Sequence, residues 1–406
     1  VVLDIAKSAQ VQEVEFDYKP CNFIRSYIPV PEVNPVQIEE AAKLINAAKK
    51  PFALVGQGVV LGSAENELKA FLEKADIPAA WTLLGASAMS SDFVLNKGFL
   101  GMHGNVAPNM KTNECDVLIA IGMRFDDRVT GDLNTYAKQA KIIHLDIDAA
   151  EINKNVKVDV PVIGNAKETL AAITAHLNAA KHTEWIQTFS EFETLEFDKV
   201  IKREVYPESG ELTMGEVINK ISEATQNKAV VVTDVGQNQM MAARYSKYSQ
   251  TRSLITSGGL GTMGFGIPAA MGAKIGAPDR TVLMYSGDGG FQMTIQELGT
   301  IMQEQIGIKM VILNNHFLGM VRQWQEMFFD ERYSFTKMKN PDFVAIAKAY
   351  NIDGLEISER SELDAAIADM LKDDKPYLLV VNVEMKGMVY PMIPAGGSVT
   401  NILLGE

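Results

Sequence analysis

Short apolar runs and amphipathic stretches alternate along this chain from residue 35 onward. Residues 52–55, 78–82, 117–121 and 141–145 are mostly apolar with little alternation, as strands buried on both faces require. Residues 36–48, 64–74 and 166–180 carry apolar positions at helical spacing. The pattern resumes near Leu212. Helices are expected at 213–224, 264–272, 342–350 and 361–372, and buried strands at 229–233, 281–285, 309–313 and 377–383. Strands alternating with helices predict an α/β fold of two doubly wound parallel-sheet domains.

The units read as follows. Residues 1–32 form the end of an N-terminal domain plus an irregular connection, and residues 33–182 a first α/β domain. Residues 183–211 form a linker with helical content, and 212–406 a second α/β domain with an apolar, glycine-rich tail. Val1 to Ile5 read as a strand already in progress, so something is expected to precede them. The acidic stretch from Glu184 to Asp198 reads as a solvated face.

Composition narrows the partners. A length of 406 residues suits two domains, each with its own core. A net charge of −13 argues against nucleic acid and anionic membrane. No apolar run reaches membrane-spanning length. Cys21 and Cys115, far apart, suggest neither a disulfide framework nor zinc spacing, and the expected compartment is cytoplasmic.

The densest chemistry lies between residues 284 and 321. A strand there ends in Gly287-Asp288-Gly289-Gly290, read as a glycine-rich turn. A second strand ends in Asn314-Asn315, with 24 residues (290 to 313) between Gly287-Asp288-Gly289 and that pair. In a parallel sheet both strand ends lie on the carboxyl edge, where open α/β sheets bind ligands. One carboxylate, one side-chain amide and nearby carbonyls are hard oxygen ligands that suit Mg²⁺. Glycines let backbone N–H groups approach an anion. The pattern predicts a magnesium-bridged diphosphate site with Asp288 and one of the two asparagines as ligands; spacing alone does not choose between them. Val235-Gly236-Gln237-Asn238 ends another strand on the same edge, and residues 258–266 are crowded with glycine ahead of a helix. Met320, Val321 and Trp324 follow the second ligand strand at a spacing that reads as one helix face packed on the core.

These stretches together resemble the catalytic subunit of acetohydroxyacid synthase (acetolactate synthase), of the biosynthetic type. The resemblance is carried by Leu100-Gly101-Met102-His103-Gly104, Arg124-Phe125-Asp126-Asp127-Arg128-Val129-Thr130-Gly131, Gly258 to Gly264, the GDG and NN pair, Gly319 to Trp324, and Pro391-Met392. It implies the central and C-terminal two of three family domains, without the pyrimidine-binding first domain and its cofactor-contacting glutamate. The implied cofactors are thiamine diphosphate, Mg²⁺ and FAD. The implied Mg²⁺ ligands are Asp288, Asn315 and the Phe317 carbonyl. Val235, Gly236, Gln237, Asn238, Gly261, Met263, Gly287, Asp288, Gly289, Gly290, Asn315, Phe317, Leu318, Gly319, Met320 and Val321 would surround the thiamine cofactor, with Met263 enforcing its bent shape.

For the flavin the resemblance implies Gly56, Gly58, Thr82, Leu83, Met102, His103, Gly122, Arg124, Asp126, Asp146 and Ile147, although Gly56-Gln57-Gly58 lacks a full dinucleotide fingerprint. Arg128 would lie at the substrate entrance; its neighbours alone suggest a surface ion pair with Asp126 or Asp127. Met320, Val321 and Trp324 would line the substrate channel, with Trp324 favouring 2-oxobutyrate over pyruvate as second substrate. The implied reaction decarboxylates pyruvate and joins the product to a second 2-oxo acid in branched-chain amino acid synthesis. A homodimer or homotetramer with a regulatory small subunit is implied as well. Alternatives are another thiamine-dependent carboligase or decarboxylase, or a non-catalytic cofactor-binding module. Neither His103 nor His316 sits at metal spacing to another histidine.

Overall fold

The apolar runs become the interior strands of two parallel sheets. A computed structural model describes residues 2–25 and 27–405. The first sheet holds β1 (Pro51–Val55), β2 (Ala79–Trp81), β3 (Asn96–Phe99), β4 (Val117–Ile121), β5 (Lys141–Asp146) and β6 (Val160–Ile163), in the order β3-β2-β1-β4-β5-β6. The second holds β7 (Val230–Thr233), β8 (Leu254–Ile255), β9 (Val282–Gly287), β10 (Ile308–Asn314), β11 (Asp353–Ile357) and β12 (Tyr377–Asn382), in the order β11-β12-β10-β9-β7-β8. Every strand pair is parallel. Helices are started by side chains that accept otherwise unpaired N–H groups. Asn34, Thr213 and Asp342 do this ahead of Pro35–Ala47, Met214–Ala224 and Phe343–Ala349.

Alternate residues of one strand feed different cores. In β1, Phe52 and Leu54 pack on one face and Ala53 and Val55 on the other. In β10, Met310 and Ile312 face one way and Val311 and Leu313 the other. One cluster runs from the first domain into the second, joining Ala53 and Trp81 to Tyr248, Tyr285 and Val311. Fully burying a Leu, Ile or Phe stabilises by about 1.5–3 kcal/mol, so this shared core resists separation of the sheets. Polar contacts add to it: Ser91 N–H donates to the Tyr248 carbonyl at 2.8 Å, and Ser253 N–H to Ser87 Oγ at 3.0 Å.

Several local expectations are corrected. Val2 to Ile5 form no strand; they are exposed, and a short helix (Lys7–Val11) follows, while Val1 lies outside the described residues. Gly56-Gln57-Gly58 is no free turn, because Gly56 caps a short helix, Gln57–Leu61. The turn at Asp288 is the first turn of another, Asp288–Gln292. The acidic stretch is not simply a solvated face. Trp185 and Phe189 pack into the first domain's core, and Glu196 is buried. Glu196 pairs with Arg244 of helix Gln237–Tyr245 at 2.5 Å, with side chains 3% and 1% exposed. The same Arg244 donates to the His103 carbonyl at 3.0 Å. The tail returns to the first domain: Ile393 N–H donates to the Met102 carbonyl at 2.8 Å, and Asp132 N–H to the Gly397 carbonyl at 2.9 Å. Among the described residues no helix is long and apolar enough to cross a membrane.

Removing one member of a buried ion pair strands the other charge, at a cost of about 3–5 kcal/mol. Glu196→Ala is therefore expected to lower stability in urea denaturation by about that amount, whereas Glu193→Ala, removing the exposed carboxylate that faces Lys97, lowers it by less, about 1 kcal/mol. A second test is the pH dependence of Glu204. Burial, reinforced by the Glu384 carboxylate, pushes its carboxyl up to about 7, against the Gly215 N–H that donates to it. A raised folded-state value means stability fully present below the ordinary carboxylate range and lost as pH rises through about 7. Glu204→Gln is expected to be more stable than the parent at pH ~8, by on the order of 1–3 kcal/mol. By pH ~4 that gain is expected to vanish; a gain equal at both pH values contradicts the assignment.

Candidate cofactor and active site

Each sheet has one place where the strand order reverses, and there the connections diverge and open a crevice at the carboxyl edge. In the first sheet it lies between β1 and β4, in the second between β7 and β9. The two carboxyl edges border a single cavity of about 970 Å³.

At the first edge the backbone approaches itself closely. Gly56 N–H donates to the Ile121 carbonyl at 2.9 Å and Gly58 N–H to the Gly122 carbonyl at 3.0 Å. A methyl group on Gly58 would sit 2.6 Å from Gly122 Cα, so no side chain fits. Gly58, Thr82, Leu83, Met102, His103, Gly122, Arg124, Asp126, Asp146 and Ile147 line the cavity. Gly56 does not; it packs beneath, against Gly122. Arg124 and Arg128 are more than half exposed at the cavity wall, each 3.8 Å from a carboxylate, Asp126 and Asp127 respectively. Burial lowers the His103 pKa to about 4, so its ring is neutral at physiological pH.

At the second edge the chain turns after β7 through Asp234, Val235 and Gly236. Gly236 has φ of 132°, a conformation that favours glycine. Asp234, buried, accepts from Val235, Gly264 and Gly266 N–H groups at 2.8, 3.1 and 2.9 Å. It thereby ties the 258–266 segment, with Gly261 and half-buried Met263, to the strand end. After β9, Asp288 is fully buried. Its Oδ2 accepts from Asn340 Nδ2 at 2.6 Å, and its Oδ1 has no partner among the described residues. Burial raises its pKa.

The two asparagines part ways after β10. Asn314 turns from the cavity and bonds to Asn382 and Asn340 at 2.7 and 2.9 Å. Asn315 lines the cavity. Its Nδ2 donates to Gln237 Oε1 at 3.1 Å, and Gln237 Nε2 in turn donates to buried Gln323 Oε1 at 3.1 Å. Phe317 and Lys337 form an antiparallel bridge flanked by Leu318 N–H to the Thr336 carbonyl and Met338 N–H to the His316 carbonyl. That pairing leaves the Phe317 carbonyl out of the ladder.

Helix Gly319–Phe328 buries Arg322 and Gln323, not the three residues at core spacing. Met320, Val321 and Trp324 border the cavity instead, with Val321 about half exposed. The core-face reading is therefore corrected for Val321 and Trp324, whereas Met320 borders the cavity and also packs against the core. Sequence reasoning also passed over Asp234, Gln323 and Asn340. Of these only Asp234, a carboxylate at a strand end before Val-Gly, carries a local signal.

A buried carboxylate with one spare oxygen, a nearby side-chain amide and a free carbonyl make a donor set that fits Mg²⁺. No group of three or more His, Cys, Asp or Glu residues suited to a metal ion occurs among the described residues.

Comparison with known proteins bears on this geometry. Residues 234–381 match the thiamine pyrophosphate enzyme C-terminal TPP-binding domain, and residues 38–173 the central domain of the same enzymes. The chain is 41% identical over 406 residues to the acetolactate synthase isozyme 2 large subunit of Escherichia coli K12, covering 99% of this chain and 72% of that protein. It belongs to the acetolactate synthase large-subunit family. A probable large subunit of Methanocaldococcus jannaschii is 40% identical over 416 residues, covering 99% of this chain and 69% of that protein. The Corynebacterium glutamicum large subunit is 41% identical over 413 residues, with 99% and 65% covered. In this family member the thiamine diphosphate-binding domain is the one built on β7 to β12.

Asp288→Ala is expected to abolish Mg²⁺-dependent thiamine diphosphate binding in calorimetric titration while the fold persists. An unchanged titration curve would remove Asp288 from the ligand set.

Proposed function

We propose that this chain supplies the Mg²⁺-, thiamine diphosphate- and substrate-binding part of the catalytic centre of an acetolactate synthase for branched-chain amino acid synthesis. Two pyruvate ions and a proton give 2-acetolactate and carbon dioxide; with 2-oxobutyrate as the second substrate the product is 2-aceto-2-hydroxybutyrate. The observation that carries this reading is the fully buried Asp288, with one oxygen spare, at the cavity that also holds Asn315, Met263 and Trp324.

Thiamine diphosphate, when bound, supplies the nucleophilic carbon and the electron sink for decarboxylation and carbon–carbon bond formation. Asp288, Asn315 and the Phe317 carbonyl would hold Mg²⁺ against the diphosphate, and Gly236, Gln237 and Gly289 to Gly290 would bring N–H groups or amides to its oxygens. Gly261 and Met263 would support the aminopyrimidine and hold the bent conformation. Met320, Val321 and Trp324 would form the apolar wall that excludes water and sizes the second substrate. Arg128 would meet the carboxylate of an entering 2-oxo acid. FAD would lie along the first sheet's edge, where the Gly58–Gly122 approach leaves room above the backbone; the balanced reaction has no net redox step, so its role there is structural. The relatives' designation as large subunits supports a regulatory small-subunit partner, and the family relation a homodimer or homotetramer.

The cavity's carboxylates are Asp126, Asp146 and Asp288. Asp126 caps a helix by accepting Arg128 N–H, Asp146 accepts Asp148 N–H, and Asp288 serves the cation. Each of the three thus has a task of its own, and none is proposed to replace the glutamate of the family's pyrimidine-binding domain. The chain joined to its native N-terminal domain is expected to form acetolactate from pyruvate with thiamine diphosphate, Mg²⁺ and FAD, and the 406-residue chain alone almost none. In the joined protein, Trp324→Leu should lower the preference for 2-oxobutyrate over pyruvate by on the order of tenfold. Absence of acetolactate from the folded, cofactor-bound joined protein overturns the reading.

A further inference from the structure

The first asparagine of the NN pair faces away from the cavity, yet it belongs to a chain of amides that ends on Asp288. Glu356 is exposed, and a carboxylate can only accept hydrogen bonds. Asn382 must therefore turn its Nδ2 toward it, at 2.8 Å, with Ser358 Oγ as a second acceptor at 3.0 Å. That leaves Asn382 Oδ1 to accept from Asn314 Nδ2 at 2.7 Å. Asn314 then offers its Oδ1 to Asn340 Nδ2 at 2.9 Å. The same Asn340 nitrogen donates to Asp288 Oδ2 at 2.6 Å. Gln292 Nε2 donates to Asn340 Oδ1 at 3.2 Å, which holds the amide in that orientation from its other side. Both His316 ring nitrogens lie 3.4 Å away, Nε2 from Asn314 Nδ2 and Nδ1 from Asn340 Nδ2.

The consequence falls on a buried carboxylate whose two oxygens are unequal. Oδ2 is committed to Asn340, and Oδ1 is buried without a partner among the described residues. We infer that Asn340 is a positioning residue: held by Asn314, it engages Asp288 Oδ2 and presents Oδ1 alone to a divalent cation. This rests on the thiamine diphosphate and Mg²⁺ reading and goes beyond it. It gives Asn314 a role distinct from that of Asn315 and adds a residue remote in sequence, 52 positions from Asp288.

Mg²⁺ demands near-ideal octahedral geometry, whereas Ca²⁺ accepts variable coordination and bidentate carboxylates. A freed Asp288 should therefore harm Mg²⁺ more than Ca²⁺. The test is calorimetric titration of thiamine diphosphate into the full chain with either ion, alongside thermal melting. Asn340→Ala is expected to lower Mg²⁺-supported affinity by about 10–100-fold, to lower Ca²⁺-supported affinity by a clearly smaller factor, and to leave a cooperative melt. Asn314→Ala should shift both affinities in the same sense by less, and it carries the test if Asn340→Ala does not fold. Unchanged Mg²⁺-supported affinity, or equal losses with the two ions, overturns the inference while leaving the cofactor reading intact. Failure of the parent chain to bind thiamine diphosphate with either ion overturns both.

Discussion

A carboxylate and a guanidinium, both almost wholly withdrawn from water, tie the two halves of this molecule together. Glu196 and Arg244 stand on helices from opposite sides of the junction, with side chains 3% and 1% exposed. Two such charges cost several kcal/mol each to desolvate and are tolerable only when paired. Their geometry therefore penalises any arrangement that separates the domains. Arg244 lies on the helix that starts at Gln237, directly after the β7 turn, and it also holds the His103 carbonyl on the first sheet's edge. Together with the shared apolar core, this side chain holds the two carboxyl edges against one cavity.

The rest of the site is arranged so that polar groups at its floor have defined donors and acceptors. Asp234 ties the glycine-rich segment to β7, Gln323 and Gln237 hold the Asn315 amide, and Asn340 holds Asp288. Among the described residues the spare oxygen of Asp288 stands without a partner, as does Asn238 Oδ1 on the same edge. Burying an unpaired carboxylate oxygen is costly in a protein interior, and the raised pKa records that cost. A bound cation would offset it, so the site is arranged as a receptor and not as a finished core.

The interior strands could be read from the sequence because both their faces are buried and their residues are almost all apolar. The strands that escaped are β3, β6, β8 and β11, and all four lie at sheet edges. An edge strand has one open side and need not be apolar throughout. β3 contains Asn and Lys, β6 a proline tolerable only at an edge, and β11 an Asp and a Glu. Residues near the GDG and NN motifs were legible through strand-end logic. Asn340 and Gln323 were not, since their partners lie 52 and 86 positions away and an isolated amide carries no periodic signal. Glu196 was read as solvated for a similar reason: its neighbours are acidic, and its partner is 48 residues distant.

Whether the carboxyl edge of the second sheet is the cofactor edge can be read from hydrogen–deuterium exchange of the full chain. With Mg²⁺ and thiamine diphosphate added, exchange is expected to slow at residues 234–238, 287–292 and 315–321 and to stay unchanged at the opposite ends of β9 and β10. Protection confined to the opposite edge, or none at those three segments at saturating cofactor, would contradict that placement of the cofactor.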